Sequence, residues 1–219
     1  MNSLILSPAG SRNTIKRKSM DCEERLGSTQ MMSTLKRRCA NREKATLVEL
    51  APHDYLLQIC DGQVKPSLSI KNFFHTYTEH ELESYSLEVT QAVRSENVEQ
   101  LRELHKKGIS LQCSNAFGES LLHMACRRGL IDIVRFLLDE ADVDLRCKDD
   151  LGRTPLHDAF WTPTPNFELV ELLISISPEL LFFSDRRGHT PLQYTRREHW
   201  SGWRSFLKKY EDVIKVSLE

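Results

Sequence analysis

One short stretch recurs at near-constant spacing, and this constrains the fold more than any other feature of the chain. The copies are Asn115-Ala116-Phe117-Gly118-Glu119-Ser120-Leu121-Leu122-His123-Met124-Ala125, then Asp149 through Ala159, then Asp185 through Thr195. Their glycines, Gly118, Gly152 and Gly188, stand 34 and 36 residues apart. The Asp-x-x-Gly part is turn chemistry, because glycine takes positive φ without steric cost. Pro155 suits a first helical turn, where its missing N–H would be unpaired anyway. Thr154 is placed to cap that turn with its hydroxyl. A turn feeding a short helix, repeated, predicts units that bury their apolar faces only by stacking.

The run Thr154-Pro155-Leu156-His157-x-Ala159, at a period near 33 residues, resembles the ankyrin repeat family. The resemblance implies an all-α fold: an ankyrin-type α-solenoid of stacked helix-turn-helix repeats. The repeat domain is expected over 79–212, with a degenerate first repeat at about 79–114 and further repeats at about 115–148, 149–184 and 185–212. The family shares a scaffold and no common chemistry, so function must come from the surface.

The net charge of −1 is unevenly distributed. Residues 1–48 hold ten Lys or Arg against four acids, a balance of +6, which leaves −7 for residues 49–219. No periodicity persists over residues 1–45, which read as a mostly disordered basic tail. Lys16-Arg17-Lys18 and Lys36-Arg37-Arg38 are short basic clusters: a nuclear-import or nucleic-acid element, or a solvated tail. The amino terminus has no apolar run long enough for a secretory signal, while an organelle transit peptide stays open. No run reaches the roughly 20 apolar residues of a membrane helix.

Residues 46–78, with Tyr55-Leu56-Leu57 and the aromatics Phe73, Phe74 and Tyr77, are expected to pack on the first repeat and cover its open face. A separate docking motif is the alternative. Thr78-Glu79-His80-Glu81 forms a capping-box pattern opening a helix from about Glu79 through Arg94. Gly108 should end the next helix. Trp161-Thr162-Pro163-Thr164-Pro165-Asn166 is a longer, proline-stiffened turn that accounts for the spacing of 36. Gln193 and Thr195 replace the pattern's His and Ala in the last copy. Leu180-Leu181-Phe182-Phe183 is expected to fill the space beneath the following turn.

None of the six cysteines forms a C-x-x-C pair, so neither a zinc knuckle nor a redox motif is indicated. Cys113 and Cys147 stand one period apart; reduced apolar packing fits them, with a disulfide as the alternative. The chain lacks a Gly-rich phosphate loop, G-x-S-x-G and H-E-x-x-H. His123 and His157 are the tempting catalytic groups. The resemblance implies instead that each ties its turn to the next repeat. No catalytic residue, metal site or cofactor is expected.

What remains is surface. The resemblance places partner contacts on the turn tips and on the first helix of each repeat. The tip positions are Phe117, Glu119, Asp150, Leu151, Arg153, Arg186, Arg187 and His189. The helix positions are Arg127, Arg128, Asp158, Trp161, Tyr194 and Arg197. The expectation is a non-enzymatic, monomeric protein-interaction module or adaptor, cytoplasmic or nuclear. The competing reading is a nucleic-acid-associated or nuclear regulatory protein using the basic tail and arginine pairs.

Overall fold

A computed structural model describes residues 50–60 and 73–216. The expectations for 1–45, and for the remainder of 46–78, lie outside the described residues. Ten α-helices occur among the described residues: α1 (Pro52–Ile59), α2 (Glu79–Glu83), α3 (Leu87–Arg94), α4 (Val98–Lys106), α5 (Leu121–Arg128), α6 (Ile131–Arg135), α7 (Pro155–Phe160), α8 (Phe167–Ile176), α9 (Trp200–Lys209) and α10 (Glu211–Val216). Short 3₁₀ turns occupy Pro178–Phe182, Pro191–Tyr194 and Arg197–His199. No strand occurs among the described residues; Ser114 and Ser120 form an isolated antiparallel bridge.

The inner helices α3, α5 and α7 and the 191–194 turn stack in a row, each against the next. The outer helices α4, α6, α8 and α9 pair with them behind. Between the layers lie Leu101, Leu121, Leu122, Leu137, Leu156, Leu169 and Leu173, all with essentially no exposed surface. Trp203 of α9 sits edge-on to Phe160 at 4.7 Å and to Phe167 at 4.6 Å, locking the last repeat to its neighbour. Each fully buried Leu contributes roughly 1.5–3 kcal/mol relative to exposure.

The single helix expected over 79–94 is two. Thr78 and Glu81 do form the reciprocal capping box. The Ser84 hydroxyl then bonds back to the His80 carbonyl at 2.8 Å, and Ser86 caps a new helix through the Val89 N–H. Serines compete for the backbone in this way, and two together break the helix. Helix α4 ends as expected at Gly108, with φ of 87°. Helix α6 has no glycine to end it and widens into a π turn over Phe136–Glu140. The Ala141 N–H reaches the Phe136 carbonyl, and Asp142 takes the left-handed conformation at φ 52°.

The expectation that residues 46–78 cover the first repeat needs correction for residues 50–60. Helix α1 packs on α9 and on the 191–194 turn, at the opposite end of the stack. Leu56 is fully buried there. Arg204 donates to the Leu50 carbonyl at 2.7 Å, and His53 Nδ1 meets Thr190 Oγ1 at 2.9 Å. The reason lies in the last repeat, whose first helix is a single 3₁₀ turn, Pro191–Tyr194, instead of a full helix. Thr195 and Arg196 are extended after it, and the Thr195 hydroxyl bonds to the Leu192 carbonyl. So short an element leaves Leu192 and Leu207 in need of cover, which α1 supplies. The first repeat keeps its apolar exposure instead: Leu87 is 67% exposed.

Residues 73–77 run along the base of the turns. The His75 N–H donates to the Arg146 carbonyl at 2.7 Å. Phe73 stacks on Phe183 at 4.6 Å, and Phe74 meets it edge-on at 4.9 Å. Leu180 and Leu181 are buried beneath, as expected for that run. Cys60 is buried, and Cys113, Cys126 and Cys147 are buried free thiols. Burial pushes Cys113 up to about 12, so it is an inert apolar group.

Candidate protein-interaction face

The repeated stretches form projecting turns of one design. Asn115 Oδ1 accepts the N–H groups of Phe117 and Glu119, Asp149 Oδ1 those of Leu151 and Arg153, and Asp185 Oδ1 those of Arg187 and His189. One side-chain oxygen thus closes each turn, and the following glycine takes positive φ: 75° at Gly118, 78° at Gly152 and 82° at Gly188. The turns bond to one another in sequence. The Asp150 N–H donates to the Phe117 carbonyl at 2.7 Å, and the Arg186 N–H to the Leu151 carbonyl at 2.8 Å. Phe117, Leu151 and Arg186 are therefore held side by side. The two apolar members are 65% and 40% exposed, and Arg186 is exposed too.

His123 and His157 brace this ladder. His123 Nδ1 accepts the Ser120 N–H, and its Nε2 reaches the Arg153 carbonyl of the next turn at 2.9 Å. His157 does the same with the Thr154 N–H and the His189 carbonyl, at 3.0 and 3.1 Å. This geometry requires Nε2–H to donate and Nδ1 to be unprotonated, the neutral ring. Burial takes His157 down to about 4, in agreement. At His123 burial also disfavours charge, but the Cys147 sulfur and the Asp158 carboxylate oppose it and pull the ring up toward about 9. We assign the neutral form there too, because the donated Ser120 N–H would meet a proton on Nδ1. Both rings are spent on architecture and offer no free nitrogen for chemistry.

The charged residues sort into committed and available groups. Asp158, expected as a surface contact, is fully buried. Its Oδ2 accepts from Arg127 Nη2 at 3.0 Å, and its Oδ1 has no donor among the described residues. Burial raises its pKa. It sits at the fourth position of a six-residue helix wedged between α5 and the 191–194 turn, so its short side chain does not reach solvent. Arg127 also pairs with Glu119. Arg153 is held by Asp149 at 2.6 Å. The Tyr194 hydroxyl donates to Asp185. Arg128 donates to the Arg94 carbonyl and meets no acid among the described residues. Asp150, Arg186, Arg187, His189 and Arg197 are exposed.

Trp161 lies at the end of α7, 49% exposed. Its ring is 5.9 Å from Tyr194 and 5.9 Å from the Arg153 guanidinium. His189 approaches the other edge of Tyr194 at 6.1 Å. The long turn behind Trp161 is fixed by the Thr162 hydroxyl, which bonds to the Ala159 and Thr164 carbonyls.

Of the expected contact residues, Phe117, Leu151, Trp161, Tyr194, Arg153 and His189 share linked turns and one aromatic cluster. Arg127 and Glu119 form a second centre around a cleft of about 460 Å³ that also contacts Tyr85, Arg94 and Met124. Arg197 stacks on Trp200, outside the cluster. Sequence reasoning missed Tyr85 and Arg94 because the first repeat lacks the Thr-Pro-Leu-His opening. The signal available was spacing, since Arg94 stands 34 residues before Arg128, the period of the glycines. Among the described residues, no three His, Cys, Asp or Glu side chains converge as a metal site. No described helix is long and apolar enough to cross a membrane.

Residues 89–181 match the family model for ankyrin repeats, in three copies. A putative ankyrin repeat protein of Rickettsia bellii is 28% identical over 129 residues, which is 58% of this chain and 64% of that protein. The SMC5-SMC6 complex localization factor protein 1 of Bos taurus is 33% identical over 38% of this chain and 8% of its own length. A putative glutaminase 2 of Caenorhabditis elegans is 34% identical over 32% of this chain and 12% of its own. The chain thus spans under two thirds of each of these relatives. Ankyrin repeats generally serve as protein–protein interaction modules. With their stacked helix pairs, asparagine- or aspartate-closed turns and histidine braces, residues 89–181 of this chain are ankyrin repeats.

Proposed function

We propose that this protein is a non-enzymatic adaptor that binds a partner protein through the turn tips and the inner-helix face. Phe117, Leu151, Trp161 and Tyr194 serve as anchors, with Arg153 and His189 beside them. The observation that carries this reading is the in-register exposure of apolar side chains on consecutive repeats. Phe117 and Leu151 stand on turns bonded directly to each other, and Trp161 rises from the helix that follows. Aromatic residues held rigidly at exposed sites are typical of interface hot spots, where truncation costs about 2 kcal/mol or more. His123 and His157, the tempting catalytic groups, are consumed by backbone bonds. The partner is taken to be intracellular, and the adaptor monomeric.

A photo-cross-linking amino acid at position 161 tests this reading. The expected outcome is one dominant protein adduct from a cell lysate, absent when the same group is placed at Val213 on α10. Equal labelling from both positions would count against the face.

The nucleic-acid alternative finds less support. Arg127 is committed to Glu119 and Asp158, and residues 49–219 carry −7 overall.

A further inference from the structure

The inner face has an internal charge imbalance. Its acids are consumed: Glu119 and Asp158 by Arg127, Asp149 by Arg153, and Asp185 by the Tyr194 hydroxyl and two backbone N–H groups. Several arginines are not. Arg94, Arg186 and Arg187 are exposed and make no ion pair among the described residues. Among the described residues, Arg128 meets a backbone carbonyl and no acid, and Arg197 the Trp200 ring and no acid. Asp150 is the exposed acid left among the turn tips.

Two of these arginines line the 460 Å³ cleft between the ends of α3 and α5, beside Tyr85 and Met124. A guanidinium fork binds a carboxylate with two parallel hydrogen bonds. Tyr85 and Met124 supply adaptable apolar contact in the same cleft. Further along, Leu151 and Trp161 are exposed next to Arg186 and Arg153. The pattern is basic and apolar in alternation, with the local acids neutralised.

We propose that the inner face takes an acidic partner segment interleaved with aromatic or aliphatic side chains, its carboxylates meeting Arg94 and Arg128 in the cleft. This rests on the interaction reading above and adds the chemistry of the partner. Duplex DNA supplies the negative charge but not the interleaved apolar groups.

The test uses the full chain and a fluorescent random copolymer of glutamate and tyrosine, followed by anisotropy at moderate salt. Arg94→Glu with Arg128→Glu is compared with Lys16→Glu with Lys18→Glu, which makes the same charge change in the tail. Expected is binding of the Glu/Tyr copolymer but not of a Lys/Tyr copolymer. Affinity should fall about tenfold in the Arg94/Arg128 variant and stay close to wild type in the tail variant. Should the double variant lose its unfolding transition, Arg94→Gln with Arg186→Gln replaces it, since both side chains are exposed. Equal losses in the face and tail variants would overturn the proposal, as would no binding at all. Duplex DNA bound more tightly, with the same Arg94/Arg128 dependence, would overturn it in favour of nucleic acid. A cellular partner lost on Phe117→Ala with Trp161→Ala but retained by Arg94→Glu with Arg128→Glu would leave the interaction face standing and remove the acidic partner.

Discussion

His53 Nδ1 and Thr190 Oγ1 meet at 2.9 Å although 137 residues separate them. In the two preceding repeats the equivalent hydroxyls, of Ser120 and Thr154, meet the histidine three residues later, at 2.8 and 2.9 Å. The last repeat has Gln193 there, and its Oε1 accepts the Thr190 N–H at 2.8 Å but offers the hydroxyl no ring nitrogen. A histidine from α1 takes its place. Helix α1 thereby completes the last of the described repeats.

Removing that helix should loosen the last repeat before the rest. Leu56→Ala deletes a fully buried side chain at the α1–α9 contact and should cost about 2–5 kcal/mol. His53→Ala removes one half-buried hydrogen bond and should cost about 1 kcal/mol. Hydrogen exchange of α9 amides would register both. Unchanged protection of α9 in Leu56→Ala would mean that α1 does not support it.

The His157 brace should make stability pH-dependent. Its folded pKa, about 4, lies below the ordinary 6.5, so the unfolded chain binds the proton more readily. Stability is then full above pH 6.5 and falls as pH drops toward 4, by up to roughly 3 kcal/mol for this one ring. His157→Gln, copying Gln193, should weaken the brace but flatten that dependence. Parallel urea titrations of both proteins from pH 7 to pH 4.5 separate the two effects. Identical slopes would show that His157 is not the titrating group.

The glycines of the turns are not equivalent. A Cβ on Gly118 would stand 3.0 Å from the Lys148 carbonyl oxygen and 3.2 Å from Asp149 Cα, whereas one on Gly188 meets nothing within 4 Å. Both have left-handed backbones, so each Ala substitution carries roughly 1 kcal/mol of strain. Gly118→Ala should be the costlier by a further 1 kcal/mol or more, because backbone must move. Thermal unfolding of the two variants decides the order.

Arg127 and Asp158 should respond asymmetrically to substitution. Arg127→Ala strands a buried carboxylate whose Oδ1 already lacks a donor, a loss of about 3–5 kcal/mol. Asp158→Asn removes the charge and leaves Arg127 with Glu119, so it should cost less. Chemical denaturation gives both values, and the reverse order would contradict the buried pair.

Much of this was legible in the sequence because repetition is self-checking. The turn residues Asn115, Asp149 and Asp185 recur at the period of their glycines, and the histidines at theirs, so three weak local signals become one strong one. The serine break at Ser84–Ser86 was harder to read, since helical spacing continues through it. The placement of α1 was not legible at all. Nothing near Tyr55-Leu56 says which end of the stack it covers; that depends on the shortening of the last repeat far downstream. Asp158 was misjudged and Arg94 overlooked for related reasons. Periodicity gives a residue's helix face, but whether it ends buried or free is set by its neighbour's side chain.

The most direct test of the interaction face is capture of the cellular partner by Phe117→Ala with Trp161→Ala. Both side chains are largely exposed, so the unfolding midpoint should match wild type, while captured partner falls by tenfold or more, about 1.4 kcal/mol. Undiminished capture by a folded double variant would contradict the assignment of this face.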